Sequence, residues 1–426
     1  MYLLKRKYLL YGLGIANSSV KNYFDKFNVS YDIFIDGKSK LEEFDLTNYD
    51  YIIKSPGINN NKDLLITAKE LNIKIISDLE LYYLLYQDKY KLITITGSNG
   101  KTTTTSLIGR VLDNYNVCGN IGIPIFDVTD YISKGLIIEA SSYMLEYTSK
   151  FKPNIYVLLN ILPHHLDHHL SYENYIDAKT SVLSRLNESD YLIYNLDDKV
   201  ICEKVKNIDC HKLSFSKKRS DATIYLDHNF IVYDKSKYLD INKLVLSDMQ
   251  FIDDFLASIL VLKTLKIKDE LIIMRLLSFQ GLSHRFEVVY NSYFVTIIND
   301  SKSTNPYSLN EAINNLINKF DKYYKILIVG GAKINEDYHI LNDIISKTDL
   351  VYLTGENRYD LDSILIHDNK IINNDLELLL HDILNKINKK TVVLFSPGAP
   401  SFDLYKNFEE RGIKFKLLVN KIFLNI

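Results

Sequence analysis

The chain has 426 residues, 46% of them hydrophobic, with a formal net charge of −2. One hydrophobic core does not serve that length, so two or three domains are expected. A near-neutral balance without basic stripes disfavours nucleic acid and anionic membranes as partners. Cys118, Cys202 and Cys210 have no metal-ligand spacing and cannot all pair, which fits a reducing, cytoplasmic setting. No apolar run reaches bilayer length, and the N-terminal MYLLKRKYLLYGLG reads as a first strand rather than a signal peptide or a membrane insertion.

Strand and helix alternate from residue 1 to about 89. Tyr8–Tyr11 reads as a strand ending in Gly12-Leu-Gly14, a helix follows, and Tyr31–Ile35 is the next strand, ending at Asp36. This is a βαβ nucleotide-binding layout with an acidic residue placed for a ribose hydroxyl, although Asn17 stands where the third fingerprint glycine would be. An ordinary βα turn is an equal alternative. Tyr51–Lys54 and Ile73–Ile76 complete the segment as strands.

From about 90 to 282 the chain is built around Ile93–Thr96, Gly97-Ser-Asn-Gly-Lys-Thr102 and the helical stretch that follows. A β-branched strand, a glycine turn and a helix opening on Gly-Lys-Thr form a phosphate cradle. Backbone N–H groups and the helix dipole face the anion, the lysine reaches the terminal phosphates, and the threonine hydroxyl is placed for Mg²⁺. The glycines are two residues apart rather than four. Further strands are Leu136–Glu139, Ile155–Leu159 and Tyr191–Tyr194. Short β-like pieces over 211–245 suggest a small appended antiparallel sheet, before helices near 250–265 and 268–278. Glu139 ends an apolar strand beside the phosphate loop, where a carboxylate suits a divalent cation. His164, His165, His168 and His169 surround Asp167. The run can be a solvated turn, a zinc cluster, or a source of one histidine for Mg²⁺. Lys179, on an amphipathic stretch, reads from its own surroundings as a solvated-face residue.

From about 283 the alternation restarts with strands at Tyr293–Ile298, Lys325–Val329, Leu350–Leu353 and Thr391–Phe395, a third, doubly wound domain. Polar loops follow three of them: Asn299-Asp-Ser-Lys-Ser-Thr304, Gly330-Gly-Ala-Lys333 and Ser396-Pro-Gly-Ala-Pro-Ser401. The last is expected to open a helix whose first N–H groups and Ser401 grip a carboxylate, so an anionic second substrate is expected here. The fold class expected is therefore α/β in three domains. Residues 1–89 and 283–426 are Rossmann-like, and 90–282 is a phosphate-loop ATPase domain with a mostly parallel sheet plus the small antiparallel one.

Taken together, ITGSNGKTTTT, GNIG, EASSYMLE, LDHH followed by DAKTSV, SHRFE, NDSKSTNP, VGGAKINEDY and SPGAPSFDLYKNFEERGIKF resemble the Mur ligases over essentially the whole chain. Within that family they resemble the members that add D-glutamate to UDP-N-acetylmuramoyl-L-alanine. The resemblance implies that the short glycine spacing is a family mark. It implies ATP-dependent amide ligation through an acyl phosphate, in peptidoglycan precursor synthesis, by a cytoplasmic monomer with two Mg²⁺ sites that Mn²⁺ can fill.

Carried over by position, Gly97, Ser98, Asn99, Gly100, Lys101, Thr102, Thr103, Arg285 and Asp300 would bind ATP. Leu13, Asp36, Asn120 and Ser141 would bind the UDP substrate, and Lys302, Thr304, Lys333, Ser401 and Phe408 D-glutamate. Thr102, Glu139, His165 and a carbamylated Lys179 would hold metal, with Lys101, Glu139, His165 and Lys179 catalytic. The chain departs from the family at Asn17, Met144, His164, Ser283 and the stretch 247–254, where Phe251 replaces an asparagine near the adenine. Rival expectations are another Mur-type or folate-tail amino-acid ligase, and a catalytically degenerate nucleotide-binding relative.

Overall fold

Strand–helix alternation resolves into three separate sheets. The structure is a computed structural model that describes residues 3–120, 123–163, 166–246, 249–334 and 336–424. The chain divides into two compact units, Met1–Phe279 and Gln280–Ile426. No helix among the described residues is long and apolar enough to cross a membrane.

The first sheet has β1 (Lys7–Tyr11), β2 (Ser30–Phe34), β3 (Tyr51–Lys54) and β4 (Lys74–Ile76), all parallel in the order β2-β1-β3-β4. Both faces are covered, as a parallel sheet requires. Tyr8 and Leu10 pack with Val20 and Phe24 of the following helix, while Leu9 and Tyr11 pack with Leu64 and Leu65 on the other side.

The second sheet begins in the same unit with β5 (Lys91–Thr96), β6 (Tyr115–Gly119), β7 (Gly135–Glu139), β8 (Ile155–Leu158) and β9 (Tyr191–Asn195). It continues with β10 (His211–Ser216), β11 (Ile224–Asp227), β12 (Phe230–Tyr233) and β13 (Ser236–Asp240). The order is β13-β12-β11-β10-β9-β8-β5-β7-β6. The small antiparallel piece expected over 211–245 is appended to the main sheet itself. β11 pairs parallel with β10, and only β12 and β13 run antiparallel, so these strands extend the main sheet. The physical reason is the edge: β10 would otherwise present an unpaired row of N–H and C=O groups.

The second unit has β14 (Glu287–Asn291), β15 (Val295–Asn299), β16 (Tyr324–Val329), β17 (Leu350–Leu353), β18 (Lys370–Ile372) and β19 (Thr391–Phe395), in the order β14-β15-β19-β16-β17-β18. The strand expected from Tyr293 starts at Val295, because Ser292 to Phe294 form the turn that joins β14 antiparallel to β15. The helix expected to open near Ser401 begins at Phe408, where the Asn407 side chain accepts from Glu410 N. Ser401 instead anchors a turn, its carbonyl accepting from Leu404 N and Tyr405 N.

Glu80, 1% exposed, fastens the helix Asp78–Tyr86 to the second sheet. Its carboxylate accepts from Ser149 Oγ and Lys150 N at 2.8 Å and from Phe151 N at 2.9 Å. Truncation would leave two backbone donors without an acceptor. Glu80→Ala should therefore destabilise the first unit by about 3 kcal/mol, and Glu80→Gln by less. Urea unfolding read by far-UV circular dichroism checks this, as a lowered midpoint at unchanged slope.

Candidate functional site

Parallel register aligns the C-terminal ends of β5, β6, β7 and β8: Ile95 lies opposite Glu139 and Val157, and Gly119 opposite Glu139. Open parallel sheets bind ligands at such ends. Gly97 to Gly100 lead from β5 into the helix Lys101–Val111. Gly100 has φ +83°, and a Cβ there would lie 2.3 Å from Asp254 Oδ1, which accepts from Thr104 Oγ1. A glycine is required on both counts. The loop is held in shape by Asn160, whose carbonyl accepts from Ser98 N and whose Oδ1 accepts from Asn99 N at 2.8 Å. Ser98 Oγ lies 2.8 Å from the Tyr175 hydroxyl.

Two lysines converge on one carbonyl. Lys101 Nζ donates to Gly97 O at 2.7 Å and Ser98 O at 2.8 Å, and Lys179 Nζ donates to Gly97 O at 2.8 Å. Lys179 is 1% exposed, so the solvated-face reading is overturned. The helix Tyr172–Thr180 turns this residue inward, where its Nζ also sits 4.9 Å from the Tyr175 ring centre and Tyr156 OH donates to its carbonyl. Burial, helped by the nearby Lys101 charge, holds the Lys179 ammonium well below the usual lysine range. Glu139, 2% exposed, opposes that shift. Its Oε1 accepts from Asn120 Nδ2 at 2.9 Å, whereas its buried Oε2 has no hydrogen-bond partner among the described residues. Ser141 caps the helix Ser142–Glu146 by accepting from Met144 N. The structure thus brings together Gly97, Ser98, Asn99, Gly100, Lys101, Asn120, Glu139 and Lys179, with Thr102 and Thr103 in the first turn of the phosphate-loop helix. His164 and His165 lie outside the described residues. His168 and His169 are buried, so for them the solvated-turn alternative fails.

On the first sheet, Gly12 needs its φ of +77°, and Leu13 is exposed. Asn17 is fully buried with Nδ2 at 2.9 Å from Gly12 O and Ile53 O, so it ties the turn to the sheet where a glycine would only fit. Asp36 accepts from Tyr11 OH at 2.9 Å and pairs with Lys62.

In the second unit, Lys302 Nζ stands 3.9 Å above the Phe408 ring centre. Lys333 Nζ pairs with Asp360 at 2.9 Å on the surface. Arg411, only 3% exposed, knits the loops: it donates to Ser301 O, Ser301 Oγ and Pro400 O. Ser301 Oγ in turn donates to Phe408 O. Arg285 acts electrostatically on Asp300, which accepts from Phe286 N and Ser396 Oγ.

Residues 95–254 match the family described as Mur ligase middle domain. The chain is 33% identical to the UDP-N-acetylmuramoylalanine–D-glutamate ligase of Fusobacterium nucleatum, covering 98% of this chain and all of that one. It is 34% identical to the same-named protein of Natranaerobius thermophilus, over 88% of this chain and 84% of the other. Among solved structures, it is similar in fold to the UDP-N-acetylmuramate–alanine ligase of Thermotoga maritima (TM-score 0.62, 18% identity, 98% and 99% covered). It is also similar to the MurF ligase of Thermotoga maritima in complex with ADP (TM-score 0.61, 19% identity, 99% of each chain). The chain belongs to the Mur ligase family.

Three residues of this ligase fold escaped the sequence reading. Arg411 lay inside a motif already noted, but burial is what distinguishes it from the surface arginines. Asn299 Nδ2 lies 2.9 Å from His284 Nδ1 and donates to Gly412 O. At Gly412 a Cβ would come within 2.2 Å of that histidine. The asparagine that opens NDSKS and ends β15 was the available signal.

Burial raises the Asp300 carboxyl to about 7, outweighing its hydrogen bonds and Arg285. The folded state therefore holds this proton more tightly than the unfolded one. The contribution is complete below pH 4 or so and is lost as pH rises through about 7. Asp300→Asn should escape that loss. Its unfolding free energy relative to wild type should rise by about 4 kcal/mol between acid and alkaline sides of this window, measured by denaturant titration at each pH.

Proposed function

We propose that this Mur ligase performs the reaction in its relatives' name, joining D-glutamate to UDP-N-acetylmuramoyl-L-alanine with hydrolysis of ATP, in peptidoglycan precursor synthesis. The observation that carries the assignment of the chemistry is the cluster at the end of β5 and β7. Lys101 and Lys179 share the Gly97 carbonyl, beside a buried Glu139 oxygen left without a hydrogen bond. We assign 1–89 to the uridine end of the substrate, with Leu13 and Asp36 as contacts, 90–282 to ATP, and 283–426 to the amino acid, in a cytoplasmic monomer.

The orphan Glu139 oxygen fits a divalent cation, since a buried carboxylate oxygen otherwise loses hydration without return. Thr102, Glu139, His165 and Lys179 would hold Mg²⁺ or Mn²⁺ at two sites. When bound, the ions neutralise charge on the transferring phosphoryl group. Lys179 would join them as a carbamate. Its depressed basicity supplies the neutral amine that adds to CO₂, forming a C–N bond and releasing a proton.

The helix N-terminus and Lys101 orient the γ-phosphate. The phosphoryl group passes to the L-alanine carboxylate and ADP leaves. The D-glutamate amine then attacks the acyl phosphate, losing a proton and expelling phosphate to leave the amide. Asn120 and Ser141 would line the muramoyl side. Arg285 and Asp300 would contact the nucleotide, and Lys302, Thr304, Lys333, Ser401 and Phe408 the amino acid.

The direct test is phosphate release from ATP with UDP-N-acetylmuramoyl-L-alanine, screened across amino acids. D-glutamate alone should stimulate it, and stimulation by a diamino acid instead would overturn the assignment. Lys101→Ala should lower kcat at least about 10²-fold. Lys179→Ala should be as inactive but partly rescued by short carboxylic acids, and undiminished turnover would return Lys179 to a structural role. Lys333→Ala should raise KM for D-glutamate about tenfold while leaving KM for ATP near wild type.

A further inference from the structure

A second buried polar cluster joins the first two sheets and is not used by the chemistry above. Glu146 is the last residue of the five-residue helix Ser142–Glu146, whose cap is Ser141. A helix this short has no stability of its own. Glu146 ties its end down in two directions. Oε1 accepts from Asn60 Nδ2 at 2.5 Å, from the loop after β3, and Oε2 meets His168 Nε2 at 2.9 Å. Next in sequence, Tyr147 OH donates to Asn60 Oδ1 at 2.8 Å, so both ends of the Asn60 amide are engaged. Lys54, the last residue of β3 and 2% exposed, places its Nζ 5.0 Å from the Tyr147 ring centre, within the field of the Glu146 carboxylate.

Resting on the ligase reading, we propose that Glu146 is a positioning residue. It locks the loop carried by β3 to the helix capped by Ser141, so that the uridine-side sheet and the muramoyl-side residues Asn120, Glu139 and Ser141 present one continuous substrate surface.

The same atoms could be taken for a metal site, because donor atoms of Glu146, His168 and His169 lie within 4.8 Å of one another. Most of these atoms already have protein partners, and the only buried one without a hydrogen bond among the described residues is His169 Nδ1. Glu146 meets His168, His169 Nε2 lies 2.9 Å from Ser142 Oγ, and a buried lysine already supplies the nearby positive charge.

The test compares Glu146→Ala, Glu146→Gln and wild type. Glutamine keeps an acceptor for Asn60 and loses only the charge facing His168 and Lys54, whereas alanine removes both. In Glu146→Ala, kcat/KM for the UDP substrate should fall about 10- to 10²-fold, with an intermediate loss in Glu146→Gln, while KM for ATP changes less than about twofold. Amide hydrogen exchange in both variants, measured without any substrate, should quicken in peptides spanning 55–61 and 142–147 and stay unchanged in Lys101–Val111. Equal losses for ATP and the UDP substrate, unchanged exchange in both peptides, or one tightly held Zn²⁺ in wild type that Glu146→Gln loses would each overturn the proposal. A wild-type protein that exchanges as expected but releases no phosphate would sink the ligase reading and leave the joint standing.

Discussion

The carbonyl of Gly97 is the point on which the first unit's chemistry depends. Two lysine nitrogens lie within 2.8 Å of it. Such a pair repels, and water would normally screen it. Here one member, Lys179, is buried, so the conflict is relieved by weakening its basicity rather than by solvation. Lys101 stays at the helix N-terminus, where phosphate charge would draw it off the carbonyl. The arrangement needs Gly97 itself: a Cβ would sit 2.9 Å from Leu159 Cβ and crowd Asn99 O at 3.2 Å, displacing the carbonyl that both lysines share.

Rigid support surrounds this point. Asn160 holds the loop from β8's side, the Thr104–Asp254 bond holds the helix behind it, and Asn120 fixes one oxygen of Glu139. The helix Met249–Thr264, which overlaps the stretch 247–254 where the chain departs from the resemblance, keeps Asp254 against the phosphate-loop helix. Phe251 can differ without loosening the loop, because loop support comes from Asp254 one turn on.

Strand ends were legible in the sequence because β-branched runs stopped at glycine, asparagine or glutamate, and parallel topology then forces those ends together. That much placed Gly97, Asn120, Glu139 and Asn160 side by side. The fate of Lys179 was not legible without the family, since periodicity on Tyr172–Thr180 cannot say which face meets another element. β14 and β18 were missed for a related reason: they are edge strands of five and three residues, half exposed. The parallel pairing of β11 with β10 was hidden too. Short β segments look the same whether they form their own sheet or complete another's edge. Glu146 and Asn60 are 86 positions apart, and no local pattern links them.

In the second unit the decisive feature is how Arg411 is satisfied. Its guanidinium donates to two carbonyls and a hydroxyl, and no carboxylate hydrogen-bonds to it among the described residues. Burial costs it basicity, lowering it to about 10, so it stays cationic at neutral pH. The loop that carries Lys302 and the loop that carries Ser401 are therefore drawn onto a positive centre. Lys302 adds a second positive charge, its Nζ held over the Phe408 ring face. One buried cation thus spaces the Ser301 and Pro400 loops through their own carbonyls, before any ligand arrives.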